Sequence, residues 1–172
     1  ALSSETGEYY ASTASMLTAA LKAKAANIIL MPGTYEGTFN PVAAATIKSA
    51  SATDKAVIKG RVNIDQYADG IRFENIKFEI NDASKVKPSF TGAQYKYPGI
   101  VVMYATAATF EGCEFACEMA SGVCGINYGA HAAGKMLTVN NCKFTGDFYA
   151  IRTRTQFSVT NSEFDVYTDQ GK

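Results

Sequence analysis

Excess charge of either sign is missing from this sequence: sixteen basic residues face sixteen acidic ones over 172 residues. A chain without net charge lacks the cationic surface that generic nucleic-acid binding requires, so no nucleic-acid partner is expected. Also missing is any apolar run near the ~18 residues of a membrane span. The longest candidate, around Ile28 to Met31, reads as a buried strand. Histidine is nearly absent. His131 stands alone in the small-residue loop from Gly129 to Gly134 and reads as a solvent-exposed residue. One histidine is a poor second ligand for four cysteines that are spaced too loosely for a metal site, so neither metal nor cofactor is expected. The start, Ala1-Leu2-Ser3-Ser4, has neither Met nor a basic and apolar leader, the pattern of a processed mature N-terminus. Charged residues are scarce at 19%, whereas Ser, Thr, Ala, Asn and Tyr are plentiful. That balance points to an extracellular, cell-surface or virion setting. The length suits one domain over 1–172 with enough chain for a real core.

What the chain does have is an eight-residue motif in four copies. They are Ile71-Arg72-Phe73-Glu74-Asn75-Ile76-Lys77-Phe78, Ala108 to Phe115, Leu137 to Phe144 and Phe157 to Phe164. Positions one and three are apolar and position two is polar. Position five is Asn or Gly (Asn75, Gly112, Asn141, Asn161), position six is small or apolar, and position eight is always Phe (Phe78, Phe115, Phe144, Phe164). The spacing between copies varies while the motif is kept, the mark of a stacked repeat. Alternation around a fixed turn residue predicts two short strands with a bend at positions four and five. Asn and Gly suit that bend because they tolerate a left-handed backbone. Stacked at the ~4.8 Å spacing of paired strands, equivalent residues form columns, with Phe above Phe and Cys113 beside Cys142. Position seven reads Lys77, Glu114, Lys143, Glu163, an alternation that favours parallel, in-register stacking. The expected fold is all-β, a right-handed single-stranded parallel β-helix; the competing architecture is a Greek-key sandwich.

Taken in order, 12–24 predicts an amphipathic capping helix with Met16, Leu17, Ala20 and Leu21 on one side. Ser12 or Thr13 caps its start, and Lys22 and Lys24 suit its C-terminal dipole. Next come strands on either side of Pro32-Gly33, from Asn27 to Phe39. A helix, an Ile-Ile-Leu-x-Pro-Gly-Thr-Tyr strand, and then repeated Phe-containing coils resemble the opening of pectin-lyase-like parallel β-helix proteins, in the flavour of alginate and chondroitin lyases. In that family the helix seals the first coil. The segments Gly99-Ile100-Val101-Val102, Gly125-Ile126-Asn127-Tyr128 and Ala150-Ile151-Arg152-Thr153 align as third strands, with an outward column of Val101, Asn127 and Arg152, and Met103, Gly129 and Arg154 one step along. After Phe164 too little chain remains for a second cap, so the last coil is expected to end open, as a surface for a protein partner or for self-association.

Candidate ligand-binding residues fall in two places. The inserted loop at 84–98 carries Lys85, Lys87, Tyr95 and Tyr97, a blend suited to a sugar or an anionic polymer, or else a loop whose aromatics fold back on the coil. The third-strand column offers Asn127, Tyr128, Arg152 and Arg154, with Lys135, Lys143 and Tyr149 nearby. The resemblance implies a lyase that neutralises a uronate carboxylate and removes a proton with Lys or Arg, which here would fall to Arg152 or Arg154. Departing from that pattern, the column lacks the acidic cluster that would hold calcium, with Asp147 and Asp165 isolated. The facing carboxyl pair of a glycosidase cannot be placed either. Cys113 with Cys142, and Cys117 with Cys124, are either disulfides or, for the first pair, small buried residues in a ladder. Three functions follow: a structural or assembly module, a carbohydrate-binding β-helix, and a minimal polysaccharide lyase.

Overall fold

Each copy of the motif folds as two strands hinged at its fifth residue. Asn75, Gly112, Asn141 and Asn161 take φ of 54°, 63°, 53° and 50°, the left-handed bend that their side chains permit. The computed structural model describes residues 2–3, 7–81, 99–118, 123–130 and 133–167. Among these are seventeen strands, numbered in chain order, and one α-helix.

The first sheet stacks β1 (Leu2–Ser3), β2 (Glu8–Ala11), β3 (Asn27–Leu30), β5 (Thr46–Ser49), β7 (Ile71–Glu74), β10 (Ala108–Glu111), β13 (Met136–Asn140) and β16 (Gln156–Thr160) in that order. The second sheet has two arms that diverge from β6 (Val57–Ile64), which is itself paired along its length with β4 (Thr34–Phe39). One arm continues from the first half of β6 through β8 (Lys77–Ile80), β11 (Glu114–Cys117) and β14 (Lys143–Asp147) to β17 (Glu163–Tyr167). The other continues from its second half through β9 (Gly99–Tyr104) and β12 (Cys124–Ala130) to β15 (Tyr149–Thr153). At the divergence Gly60 has φ of 151°, and an added Cβ would lie 1.8 Å from the Gly37 carbonyl oxygen, so only glycine fits that corner. Every pairing is parallel except β1 with β2. The parallel stack is consistent with a β-solenoid.

The motif register is as the sequence predicts. Phe73 pairs with Phe110, Phe110 with Val139, and Val139 with Val159. Position eight forms a column of parallel rings, Phe78–Phe115 at 4.8 Å, Phe115–Phe144 at 4.7 Å and Phe144–Phe164 at 4.9 Å between centroids. Burying each interior ring is worth roughly 1.5–3 kcal/mol, and stacking adds about 0.5–1.5 kcal/mol. The charged column at position seven is in register too, though Glu114 makes its close ion pair, 2.9 Å, with Lys55 from an earlier connection.

Helix α1 is Ala14–Lys22, shorter at both ends than the expected 12–24. Thr13, not Ser12, is the cap, its hydroxyl accepting from the Met16 amide at 3.2 Å. Leu17, Ala20 and Leu21 are buried, whereas Met16 is only half-buried. The helix packs on β2, β3 and β4 and so covers the first pass of chain. No helix among the described residues is long and apolar enough to cross a membrane.

Candidate functional site

Candidate chemistry gathers in three places: the outward column of the third-strand arm, the thiols, and the end of the stack at β15, β16 and β17.

The third-strand column differs from expectation by one residue on β9. Asn127 pairs with Arg152 as predicted, but its partner on the other side is Val102, not Val101. Because side chains alternate along a strand, a slip of one reverses the facing of all of them. Val101 therefore joins the core and Val102 takes the outward place, with Asn63 before it. Tyr128 also turns inward. It is fully buried, and its hydroxyl donates to the Thr106 carbonyl at 2.5 Å and accepts from the Thr106 amide at 2.9 Å, a corner staple rather than a ligand group. The Arg152 and Arg154 pair is separated: β15 ends at Thr153, and Arg154 lies exposed in the bend that follows. The structure does bring Asn127 and Arg152 together, Nη1 donating to Oδ1 at 3.2 Å.

Further along the same outward side, Arg61 is 2% exposed, with Nε donating to Asn63 Oδ1 at 2.6 Å. Asn63 in turn donates to Asn40 at 2.9 Å. Sequence gave no hint of this buried arginine, because strand alternation predicts an exposed one. Lys135 is spent in another corner, paired with Asp69, whose other carboxylate oxygen accepts from the Ala107 amide at 2.9 Å. The Ala107 amide first, and then Lys135, hold the Asp69 carboxyl below its ordinary range. Lys85, Lys87, Tyr95 and Tyr97, the loop at 84–98 and His131 lie outside the described residues.

All four cysteines are free thiols and all are buried, so neither of the two possible disulfides is formed, and Cys113 and Cys142 stand as small buried residues in a ladder. Cys113 and Cys142 are neighbours in the stack, their thiols in contact with each other and also directed at backbone carbonyls, Cys113 at Phe73 at 3.5 Å and Cys142 at Phe110 at 3.4 Å. Cys117 is a strand residue of β11 aligned with Gly146, while Cys124 starts β12 in the other arm. Burial pushes Cys117 up to about 12, helped by Asp147 and Glu118, and pushes Cys124 up to about 11 against the pull of Arg152. Burial likewise drives Cys113 well above the ordinary thiol range. Such thiols are protonated at neutral pH and make poor nucleophiles. Among the described residues no group of three or more His, Cys, Asp or Glu could hold a metal ion.

At the last pass the apolar columns come to the surface. Phe157 is 59% exposed, Phe164 48% and Tyr167 64%, although the equivalent interior residues Leu137 and Phe144 are fully buried. With Ile151, Val159 and Val166 they line an open concavity of about 630 Å³. Among the described residues, strands β15, β16 and β17 are the edges of their rows, each paired on one side alone. This surface can take up apolar side chains and further strand edges. Compared with protein-family models, with curated proteins and with solved structures, the chain matches none of them.

Proposed function

We propose that the protein is a non-catalytic right-handed parallel β-helix with a structural or assembly role, working at a cell surface, on a virion or in the extracellular space. It associates through the apolar end formed by β15, β16 and β17. Right-handed winding follows from the strong preference of parallel strand crossovers for that hand. The observation that carries the reading is the outcrop of Phe157, Phe164 and Tyr167 on edge strands. A patch that joins exposed aromatic rings to open strand edges marks an interaction surface, since left uncovered it promotes uncontrolled pairing. The carbohydrate-binding and lyase readings retain less. Of their candidates among the described residues, Tyr128 is in the core and Arg154 is off the strand, which leaves the Asn127–Arg152 pair.

Light scattering over a concentration series tests the proposal on the 172-residue chain. Wild type is expected to gain mass with concentration, and a Phe157→Ser, Phe164→Ser double variant, altered only at exposed rings, is expected to stay monomeric. A wild-type chain that remains monomeric up to roughly 1 mM, where association would be worth only about 4 kcal/mol, would sink the reading.

A further inference from the structure

The apolar end is self-complementary. Three rows of strands finish there: the first sheet at β16, one arm of the second sheet at β17, and the other arm at β15, which belongs to the preceding pass. If the chain rises evenly through its three rows, β17 stands about a third of a strand spacing above β16, and β15 about a third below it, the full spacing being ~4.8 Å. A two-fold axis across the stack, through the middle of β16, lays β16 antiparallel on its own copy. The same operation exchanges the other two rows, so β17 of each copy lies over β15 of its mate. The rise of β17 then offsets the drop at β15, and all three gaps close to one strand spacing. An axis through β17 leaves a gap of two spacings in the other rows, and an axis through β15 forces strands into one plane.

Side-chain chemistry agrees with that geometry. Phe164 and Val166 line the concavity, so Glu163 and Asp165 face outward from β17. Antiparallel pairing with β15 that keeps Val166 over Ile151 and Phe164 over Thr153 sets Asp165 over Arg152. An acid thus meets an arginine at each of two symmetric places. Asn127 steadies Arg152 from the pass below at 3.2 Å. Strand β16, from Gln156 to Thr160, carries no charge and can pair with itself without repulsion. Among the described residues the opposite end of the stack is already covered, with α1 packed over β2, β3 and β4 and β1 antiparallel beside β2.

We infer that the partner of this end is a second copy of the chain, joined about a two-fold axis through β16, with β17 of each copy paired to β15 of the other. The inference rests on the reading of the end as an interface. Its test is a Ser158→Cys variant under mild oxidation. At the centre of β16, Ser158 meets its own copy with Cα atoms ~4.5–5.5 Å apart, within disulfide reach. The four native thiols are buried and do not compete. A covalent dimer is expected, and none from a Thr109→Cys control on β10. In light scattering the limiting mass should be twice that of the chain. Asp165→Arg, present twice per dimer, should weaken association at least about tenfold, and adding Arg152→Asp should restore it. Association into longer assemblies, or dimers that neither cross-link through Ser158→Cys nor respond to charge reversal, would overturn the two-fold pairing while leaving the interface itself standing. A strict monomer would remove both.

Discussion

The two ends of the stack receive the same kind of apolar column and treat it in opposite ways. At the start, Leu17, Ala20 and Leu21 of α1 close over the first pass, and Tyr35 of β4 is fully buried, its single hydroxyl proton placed between the Ala11 and Met31 carbonyl oxygens at 2.8 and 2.6 Å. At the other end Phe164 stacks on Phe144 at 4.9 Å with its outer face in the open. The two phenylalanines have the same motif position, the same backbone bend before them and nearly the same ring geometry. What differs is the number of covered faces. Local sequence therefore sets the strand and the turn, while the energetic weight of a residue is set by what lies on either side of it along the stack.

Truncating the Phe column is the most forceful way to expose that difference. Phe115→Ala removes a ring packed between Phe78 and Phe144 and should cost about 3–5 kcal/mol. Phe164→Ala, made in the last copy and measured at a concentration where the chain is monomeric, should cost no more than about 1.5 kcal/mol. Urea unfolding of the two variants decides the matter. Equal losses would mean that the end is covered in the monomer. Next in size is the opposite end: Leu17→Ala opens a cavity under α1 and should cost roughly 2–4 kcal/mol. A loss below about 0.5 kcal/mol would show that the helix is not a cap that the first pass depends on.

A backbone substitution should ignore the comparison altogether. Asn141 and Asn161 sit at φ of 53° and 50°, one in an interior pass and one in the last. Replacing either by Ala should cost about 1–2 kcal/mol, since the left-handed penalty is local, and replacement by Gly should recover most of it. If Asn161→Ala were free while Asn141→Ala was costly, the side-chain bonds of Asn141 would be the real determinant. The candidate bond is its amide donating to Glu111 at 3.1 Å.

The same bend residues explain what could be read from the sequence. Each motif copy carries its own turn marker, so the registers of β7, β10, β13 and β16 and of the β8–β17 arm were legible, down to Phe over Phe. The β9–β15 arm has no such marker. Matching Gly99 to Gly125 looked natural, yet Gly99 pairs with Cys124, and β12 carries an irregularity between Tyr128 and Ala130. One residue of slip was enough to turn Val101 inward and leave Asn127 beside Val102. Arg154 failed for a related reason: nothing in Arg152-Thr153-Arg154-Thr155 marks the point where strand gives way to bend. The last motif copy was legible too, but the depth of the concavity beside it depends on how Ile151, Phe157 and Val166 converge from three rows, which no local pattern encodes.

The mildest perturbation, pH, separates the ends by the titrating groups buried between them. Cys117 is buried on β11 and Cys124 on β12, at about 12 and about 11 against an ordinary value of 9.0, with desolvation the leading cause in both. A thiol whose folded pKa is raised keeps its proton in the native state after the unfolded chain has lost it. Its stabilising contribution is therefore complete below pH ~9 and is lost as pH climbs from there towards 11 and 12. Tyr35 and Tyr128, also raised by burial, add in the same direction above about 10. Melting temperature should hold level from pH 7 to about 9 and then fall, by roughly 2–4 °C for each kcal/mol lost. Cys117→Ala should make the fall shallower between pH 9 and 11. Apart from Thr153, the end face lines its concavity with aliphatic and aromatic side chains, and it contains no cysteine, so the Phe157→Ser, Phe164→Ser variant should keep the wild-type thiol-dependent fall. A profile that changed in that variant instead would place the titrating groups under the end, and would mean that the thiols of β11 and β12 open to solvent through it.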